Sequence, residues 1–259
     1  MLTVGNLDVT FKVDNNTVHA VKGVCYDVNP GESLGIVGES GSGKSVSSLA
    51  IMGLLPPTAT VKGDIIFKGQ HLTHLSDAEY RLVRGSQIGY IFQNPLAALN
   101  PVFTIANQMV ETIQLHHSNT KEEASEMAID LLHKVKIVDP HKRIDDYPHQ
   151  FSLGMCQRIM IAITLSMKPD LLIADEPTAS LDVTTQKEIL ELMDELKSEY
   201  KMAMIFISHD LAVVAERCDR VGVMYLGEMV EIGQPKQIFS YPKEAYTKRL
   251  INAIPKVSF

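Results

Sequence analysis

The chain is poor in cysteine and has no long apolar run, and each shortage narrows what it can be. Cys25, Cys156 and Cys218 are odd in number and lack metal-ligand spacing. Reduced thiols in a cytosolic protein are the expectation, without a metal site built on them. No apolar stretch reaches the roughly 18 residues a membrane-spanning helix needs. The opening Met1-Leu2-Thr3-Val4-Gly5-Asn6-Leu7-Asp8 has neither the basic start nor the apolar core of a signal peptide. The expectation is a chain neither inserted into nor exported through a membrane on its own account. An excess of positive charge is missing too, since the net charge is −7. That argues against a nucleic-acid-binding surface. Internal repeats and low-complexity linkers are absent.

What is present is an ordinary globular composition, 45% hydrophobic and 21% charged over 259 residues, enough for one large domain or a core with a smaller insert. Residues 2–36 alternate in a β-like way, through Leu7, Val9 and Phe11 and then Val18, Ala20 and Val21, with Asn15-Asn16 as a turn between them. Ile65–Phe67 and Ile88–Phe92 read as further strands. From about 104 to 168 the pattern turns helical, over Ile105–Leu115, Glu122–Val135 and Gln157–Met167. Unbroken apolar runs follow at Leu171–Ala174, Met204–Ile207 and Val221–Tyr225, with a helix expected over Thr185–Ser198. Such runs separated by helices predict a largely parallel sheet buried on both faces. A short strand, Met229–Ile232, between Gly227 and Gly233 suggests a hairpin return.

The most informative stretch is Gly38-Glu39-Ser40-Gly41-Ser42-Gly43-Lys44-Ser45, which fits G-x-x-x-x-G-K-[ST]. Leu34–Val37 before it reads as a buried strand. Val46–Leu55 after it reads as a helix stopped by Pro56-Pro57. Strand, glycine-rich turn and helix start make a phosphate cradle, because backbone N–H groups can approach the phosphates and the helix end adds partial positive charge. In that cradle Lys44 reaches the β- and γ-phosphates, and the Ser45 hydroxyl ligates Mg²⁺. Later in the chain, the apolar strand Leu171–Ala174 runs into Asp175-Glu176. Beside a phosphate loop, Asp175 is placed to hold Mg²⁺ and Glu176 to polarise an attacking water as general base.

With these pieces the chain resembles the ATP-binding-cassette ATPases, and the resemblance covers essentially its whole length. Gln93, after the Ile88–Phe92 strand, matches that family's glutamine loop. The resemblance implies that Gln93 senses Mg²⁺ and links the ATP site to the helical insert. Ala179-Ser180-Leu181-Asp182 resembles the D-loop, and His209 in Ile207-Ser208-His209-Asp210 resembles the switch histidine that bonds the γ-phosphate. Phe11 matches the aromatic that stacks on adenine. The family signature Leu-Ser-Gly-Gly-Gln is represented by Phe151-Ser152-Leu153-Gly154-Met155. Ser152 and Gly154 keep a hydroxyl and a glycine amide for a γ-phosphate. Leu153 replaces the first glycine, so its side chain is expected to crowd the nucleotide or to conflict with a glycine-only backbone angle. In that family the signature of one subunit completes the ATP site of the other, so Leu153 leaves two readings: an asymmetric pair whose partner site is weakened, or a tolerated variant with no functional effect.

Val21-Lys22-Gly23-Val24, Gln93-Asn94-Pro95 with Leu99-Asn100-Pro101, Ala174–Thr178 with Leu181–Thr184, and Tyr246-Thr247 with Leu250 and Ala253-Ile254-Pro255 look like the oligopeptide/dipeptide/nickel importer branch. Glu244-Ala245 stands where that branch has His-Pro. Members often continue into a cysteine-bearing tail that can hold an iron–sulfur cluster. The sequence reaches Phe259 without those cysteines, so no cluster is expected.

The expected fold is α/β, a P-loop NTPase core with a mainly parallel sheet and an N-terminal antiparallel β layer. Core and β layer would occupy about 1–103 and 169–259, and a helical subdomain about 104–168. The implied activity is ATP hydrolysis with Mg²⁺, driving import of peptides or a nickel chelate. The implied partners are a second ATPase subunit (identical or different), two integral membrane permease subunits and, indirectly, an extracytoplasmic solute-binding protein, with no nucleic acid. The implied place is peripheral, on the cytoplasmic face of the cell membrane. Membrane-subunit contact is expected at Ile105–Leu115 and the Ala97–Phe103 loop. Two alternatives stand beside this: an ATP-binding regulatory half with little hydrolysis of its own, and a soluble cassette ATPase, whose usual coiled-coil insertion or duplicated cassette this chain lacks.

Overall fold

The structure, a computed structural model, describes residues 1–14 and 16–253. The Asn15 half of the expected turn, Ile254-Pro255 of the C-terminal match and Phe259 lie outside the described residues. In chain order the first elements are β1 (Leu2–Val13), β2 (Asn16–Val28), β3 (Ser33–Val37), α1 (Lys44–Ile51), β4 (Ala59–Phe67), β5 (Gln70–His71) and α2 (Asp77–Arg81). Then come β6 (Ile88–Ile91), α3 (Pro95–Ala98), α4 (Ile105–His116), α5 (Lys121–Lys134), α6 (Pro140–Arg143), α7 (Leu153–Leu165), β7 (Leu171–Asp175) and α8 (Val183–Tyr200). The last are β8 (Ala203–Ile207), α9 (Leu211–Arg217), β9 (Arg220–Tyr225), β10 (Glu228–Gly233), α10 (Pro235–Ser240) and α11 (Ala245–Asn252). They fall into two compact units, residues 1–81 with 203 onward, and residues 82–202. The helical segment expected at about 104–168 lies inside the second.

In the first unit an antiparallel sheet runs β2-β1-β4-β5. Its N-terminal strand buries Leu2 and Val4, then Leu7 and Val9. The parity of the buried positions changes between 4 and 7, which a strand of period two cannot allow without an extra residue. The register with β2 and β4 is irregular at that place, and Asn6 takes a left-handed φ of 46°. A bulge therefore absorbs the change of phase. Parallel strands β8 and β9 flank β3, and β10 returns antiparallel to β9 as the expected hairpin. All five residues of β3 are buried, consistent with a strand covered on both faces. Helix α9 lies so close over it that a β-carbon at Gly35 would stand 2.3 Å from Val214 Cγ1.

In the second unit β6 and β7 pair in parallel, and helices make up most of the rest. Thr104 and Thr120 open α4 and α5 with side-chain caps, Thr120 in a capping box with Glu123. The architecture is α/β, with parallel strands, a separate antiparallel sheet and a helix-rich segment, as the sequence predicts. Among the described residues no helix is long and apolar enough to cross a membrane.

The limits of three helices, α1, α7 and α8, depart from the periodicity by more than one residue. The helix after the phosphate loop ends at Ile51, not at the prolines, because Gly53 takes φ 59° and its N–H bonds to the Ala50 carbonyl. Helix α7 begins at Leu153, four residues before the apolar pattern announces it, because Ser152 caps it. Helix α8 begins at Val183, capped by Asp182, and runs to Tyr200.

Candidate active site

In the first unit the chain leaves β3 at Val37 and turns through Gly38 (φ 152°) to Gly43 (φ 100°), the residue before α1. These two positions demand glycine twice over. A β-carbon at Gly38 would stand 2.2 Å from the Met224 carbonyl oxygen, and one at Gly43 would stand 2.6 Å from that of Ala20. Positive φ adds a conformational cost for any side chain. Gly43 has no side chain, so no side-chain cap occupies the start of α1. Lys44 is buried, and its Nζ donates to the carbonyls of Gly38 at 2.8 Å and Glu39 at 2.9 Å. The Ser42 hydroxyl is buried without a hydrogen-bond partner among the described residues. Buried polar groups are normally paired, so this hydroxyl points to a ligand with acceptor oxygens. Ser45 is half-buried in the first turn, and Glu39, Ser40 and Gly41 are exposed. Uncapped amides, a buried ammonium and an orphaned hydroxyl suit the phosphates of a nucleotide.

Two other expected residues belong to this unit. His209 is exposed just after β8. Asp210 follows, capping α9 by accepting from the N–H groups of Ala212 and Val213. Phe11 is half-buried on β1, opposite Val18 and Ala59.

In the second unit β7 delivers the carboxylates. Asp175 ends the strand, buried, and the Tyr90 hydroxyl of β6 donates to its Oδ2 at 2.9 Å. Glu176 has left-handed backbone, φ 46°, a conformation that costs a non-glycine residue about 1 kcal/mol or more. The turn swings the second carboxylate away from the strand direction, and Gln93 Nε2 donates to Glu176 Oε2 at 2.9 Å. Strand ends therefore gather Gln93, Tyr90, Asp175 and Glu176 into one polar cluster. Asp182 caps α8, accepting from the Thr184 and Thr185 N–H groups at 3.1 Å each and from the Thr185 hydroxyl at 2.7 Å. The Thr185 N–H and hydroxyl hold the Asp182 carboxyl below its ordinary range. Asp182 thus keeps its charge and its cap further into acid than a free aspartate does.

The Ser152 hydroxyl accepts from the Met155 N–H at 3.3 Å, opening α7. Leu153 has ordinary helical backbone and is half-buried. The expected conflict with a glycine-only angle does not occur, because position 153 is the first residue of a right-handed helix.

Two tyrosines at the site carry little signal in the sequence. Tyr90 lies in the apolar strand Ile88–Phe92, where the one signal is that a buried tyrosine normally needs a partner for its hydroxyl. Tyr246 appeared as part of a branch resemblance. Its hydroxyl accepts from the Glu39 N–H at 3.1 Å while its ring stacks on Tyr225 at 3.9 Å. It thereby holds the phosphate loop from α11.

Comparisons with known proteins bear on this arrangement. The ABC transporter family profile matches residues 21–179. The dipeptide transport ATP-binding protein DppD of Bacillus subtilis is 49% identical over 99% of this chain and 77% of its own length. The oligopeptide transport ATP-binding protein OppD of Haemophilus influenzae is 47% identical over 99% of this chain and 80% of its own. Among solved structures, a dimeric post-hydrolysis state of the ATP-binding cassette MJ0796 bound to ADP and phosphate superposes with a TM-score of 0.81 at 27% identity. It covers 91% of this chain and 99% of that one. A fold with a phosphate loop, strand-end carboxylates and relatives this similar leaves one conclusion: the chain belongs to the ABC transporter family, as one of its ATP-binding ATPase subunits.

Proposed function

We propose that this subunit hydrolyses Mg-ATP to drive uptake of peptides through a membrane transporter. The observation that carries the hydrolytic reading is the cluster in which Gln93 Nε2 holds the Glu176 carboxylate at 2.9 Å beside the buried Asp175. Glu176 takes the proton of the attacking water as general base. Gln93 orients that carboxylate, and the Tyr90 hydroxyl fixes Asp175, which would serve the metal. Lys44, Ser42 and the amides at the start of α1 would bind the phosphates, Ser45 and Asp175 (with Gln93) would hold Mg²⁺, and Phe11 would lie against adenine. His209 donates to the γ-phosphate, while Ser152, Gly154 and Asp182 face the nucleotide of a second ATPase subunit. Bound Mg²⁺ would neutralise charge on the transferring phosphoryl group. The segment at about 104–168 acts as a subdomain that carries closure to two permease subunits, and an extracytoplasmic solute-binding protein feeds them. The subunit then works peripherally at the cytoplasmic face of the membrane. The names of the relatives, dipeptide and oligopeptide transport proteins, favour peptides over a nickel chelate.

Replacing Glu176 by Gln in the assembled transporter tests the assignment. Turnover should fall at least about 100-fold while ATP binding persists. Turnover at the wild-type rate would make this chain a nucleotide-binding regulatory half instead.

A further inference from the structure

The glycine of the signature segment lies in a different setting from the loop glycines. Gly154 has ordinary helical backbone in the first turn of α7. A β-carbon there would stand 2.5 Å from Thr185 Cγ2, with no other side chain within 3.9 Å except that of Thr185 itself. Thr185 belongs to the first turn of α8, and its hydroxyl donates to Asp182 Oδ2 at 2.7 Å. One turn further along the same two helices, Arg158 Nη2 donates to Glu188 Oε2 at 2.8 Å, and its Nη1 donates to the Val135 carbonyl at 3.1 Å. Gly154 with Thr185 and Arg158 with Glu188 are thus successive rungs of one seam, at the spacing that puts residues on one helix face.

We infer that Gly154 is a glycine because the neighbouring helix requires it, and that Thr185 is a positioning residue which fixes the signature helix against Asp182. The Thr185 methyl occupies the space a side chain at 154 would need, and its hydroxyl holds the carboxylate. Signature segment and D-loop therefore move as one piece. This deepens the proposed function, since it rests on Ser152 and Asp182 belonging to an ATP site shared with a second subunit. The packing itself needs no nucleotide.

The experiment separates the two. In a helix, Gly→Ala ordinarily stabilises. Here Gly154→Ala should instead lower the melting temperature of the purified, nucleotide-free chain by about 3 °C or more. Thr185→Ser removes the clashing methyl and keeps the hydroxyl, so the double variant G154A/T185S should return to within about 1 °C of the T185S parent. A G154A protein as stable as the wild type, or one that T185S fails to restore, overturns the packing assignment whatever the protein does with ATP. For positioning, Thr185→Val keeps the shape and removes the hydroxyl. In the assembled transporter it should lower kcat about five-fold or more with KM for ATP within about two-fold, while T185S stays within about two-fold of wild type in kcat. Equal kcat for T185V and T185S overturns the positioning role. Loss of all turnover by the wild-type assembly would count against the proposed function, and the nucleotide-free melting comparison would still decide the packing.

Discussion

Helices α1 and α7 both begin at segments that family resemblance ties to phosphate, yet they begin in opposite ways. The start of α1 is left open. Its preceding residue, Gly43, is left-handed and capless, Lys44 is buried against loop carbonyls, and the Ser42 hydroxyl has no partner among the described residues. The start of α7 is closed by its own Ser152 hydroxyl, its backbone is regular, and its glycine is filled from outside by Thr185. One helix start leaves the buried Ser42 hydroxyl beside it without a partner among the described residues, a group that a ligand can satisfy. The other satisfies itself and uses glycine for close packing. A glycine in a binding motif therefore has no single meaning, and what its missing β-carbon would touch decides which one applies.

The contrast can be broken most forcefully at Lys44. If the α1 start is built for a ligand, Lys44→Ala should cost on the order of 100-fold or more in turnover while moving the melting temperature by only about 3 °C. A calorimetric collapse of the nucleotide-free protein would show Lys44 to be chiefly structural. Next in size is Tyr90→Phe, which leaves Asp175 Oδ2 without this donor in a buried setting. A loss of about 1–3 kcal/mol in stability and a several-fold weaker dependence on Mg²⁺ are expected, read by denaturant titration and by turnover against metal concentration. Unchanged metal dependence would remove Tyr90 from the account of the site. The smallest effect should come from Tyr246→Phe, which keeps the stack on Tyr225 and loses only the acceptor for the Glu39 N–H. KM for ATP should rise about two- to five-fold with kcat held. A fall in kcat alone would mean that α11 does more than steady the loop.

Much of this was legible in the chain itself. The phosphate loop, the acid-terminated strand and the late hairpin are local patterns, and local patterns survive folding because backbone geometry sets them. Helix limits are less legible. Gly53, Ser152 and Asp182 act through caps and left-handed φ rather than through apolar spacing, so periodicity shortened α7 and α8 and lengthened α1. The partners of the site residues were invisible for a different reason. Tyr90 stands 85 positions from Asp175 and Tyr246 stands 207 from Glu39, and such pairings belong to the tertiary fold alone. The same holds for Thr185, whose meeting with Gly154 no spacing rule announces.

The left-handed backbone of Glu176 carries a last consequence, one for how this position tolerates change. Selection for abundance alone should enrich Gly and Asn there and deplete Val and Ile, since the first two accept φ near 46° at least cost. Selection for growth on the transported nutrient should reverse that ranking and retain Glu. A library scored both ways would separate what the chain needs in order to fold at this residue from what it needs in order to work.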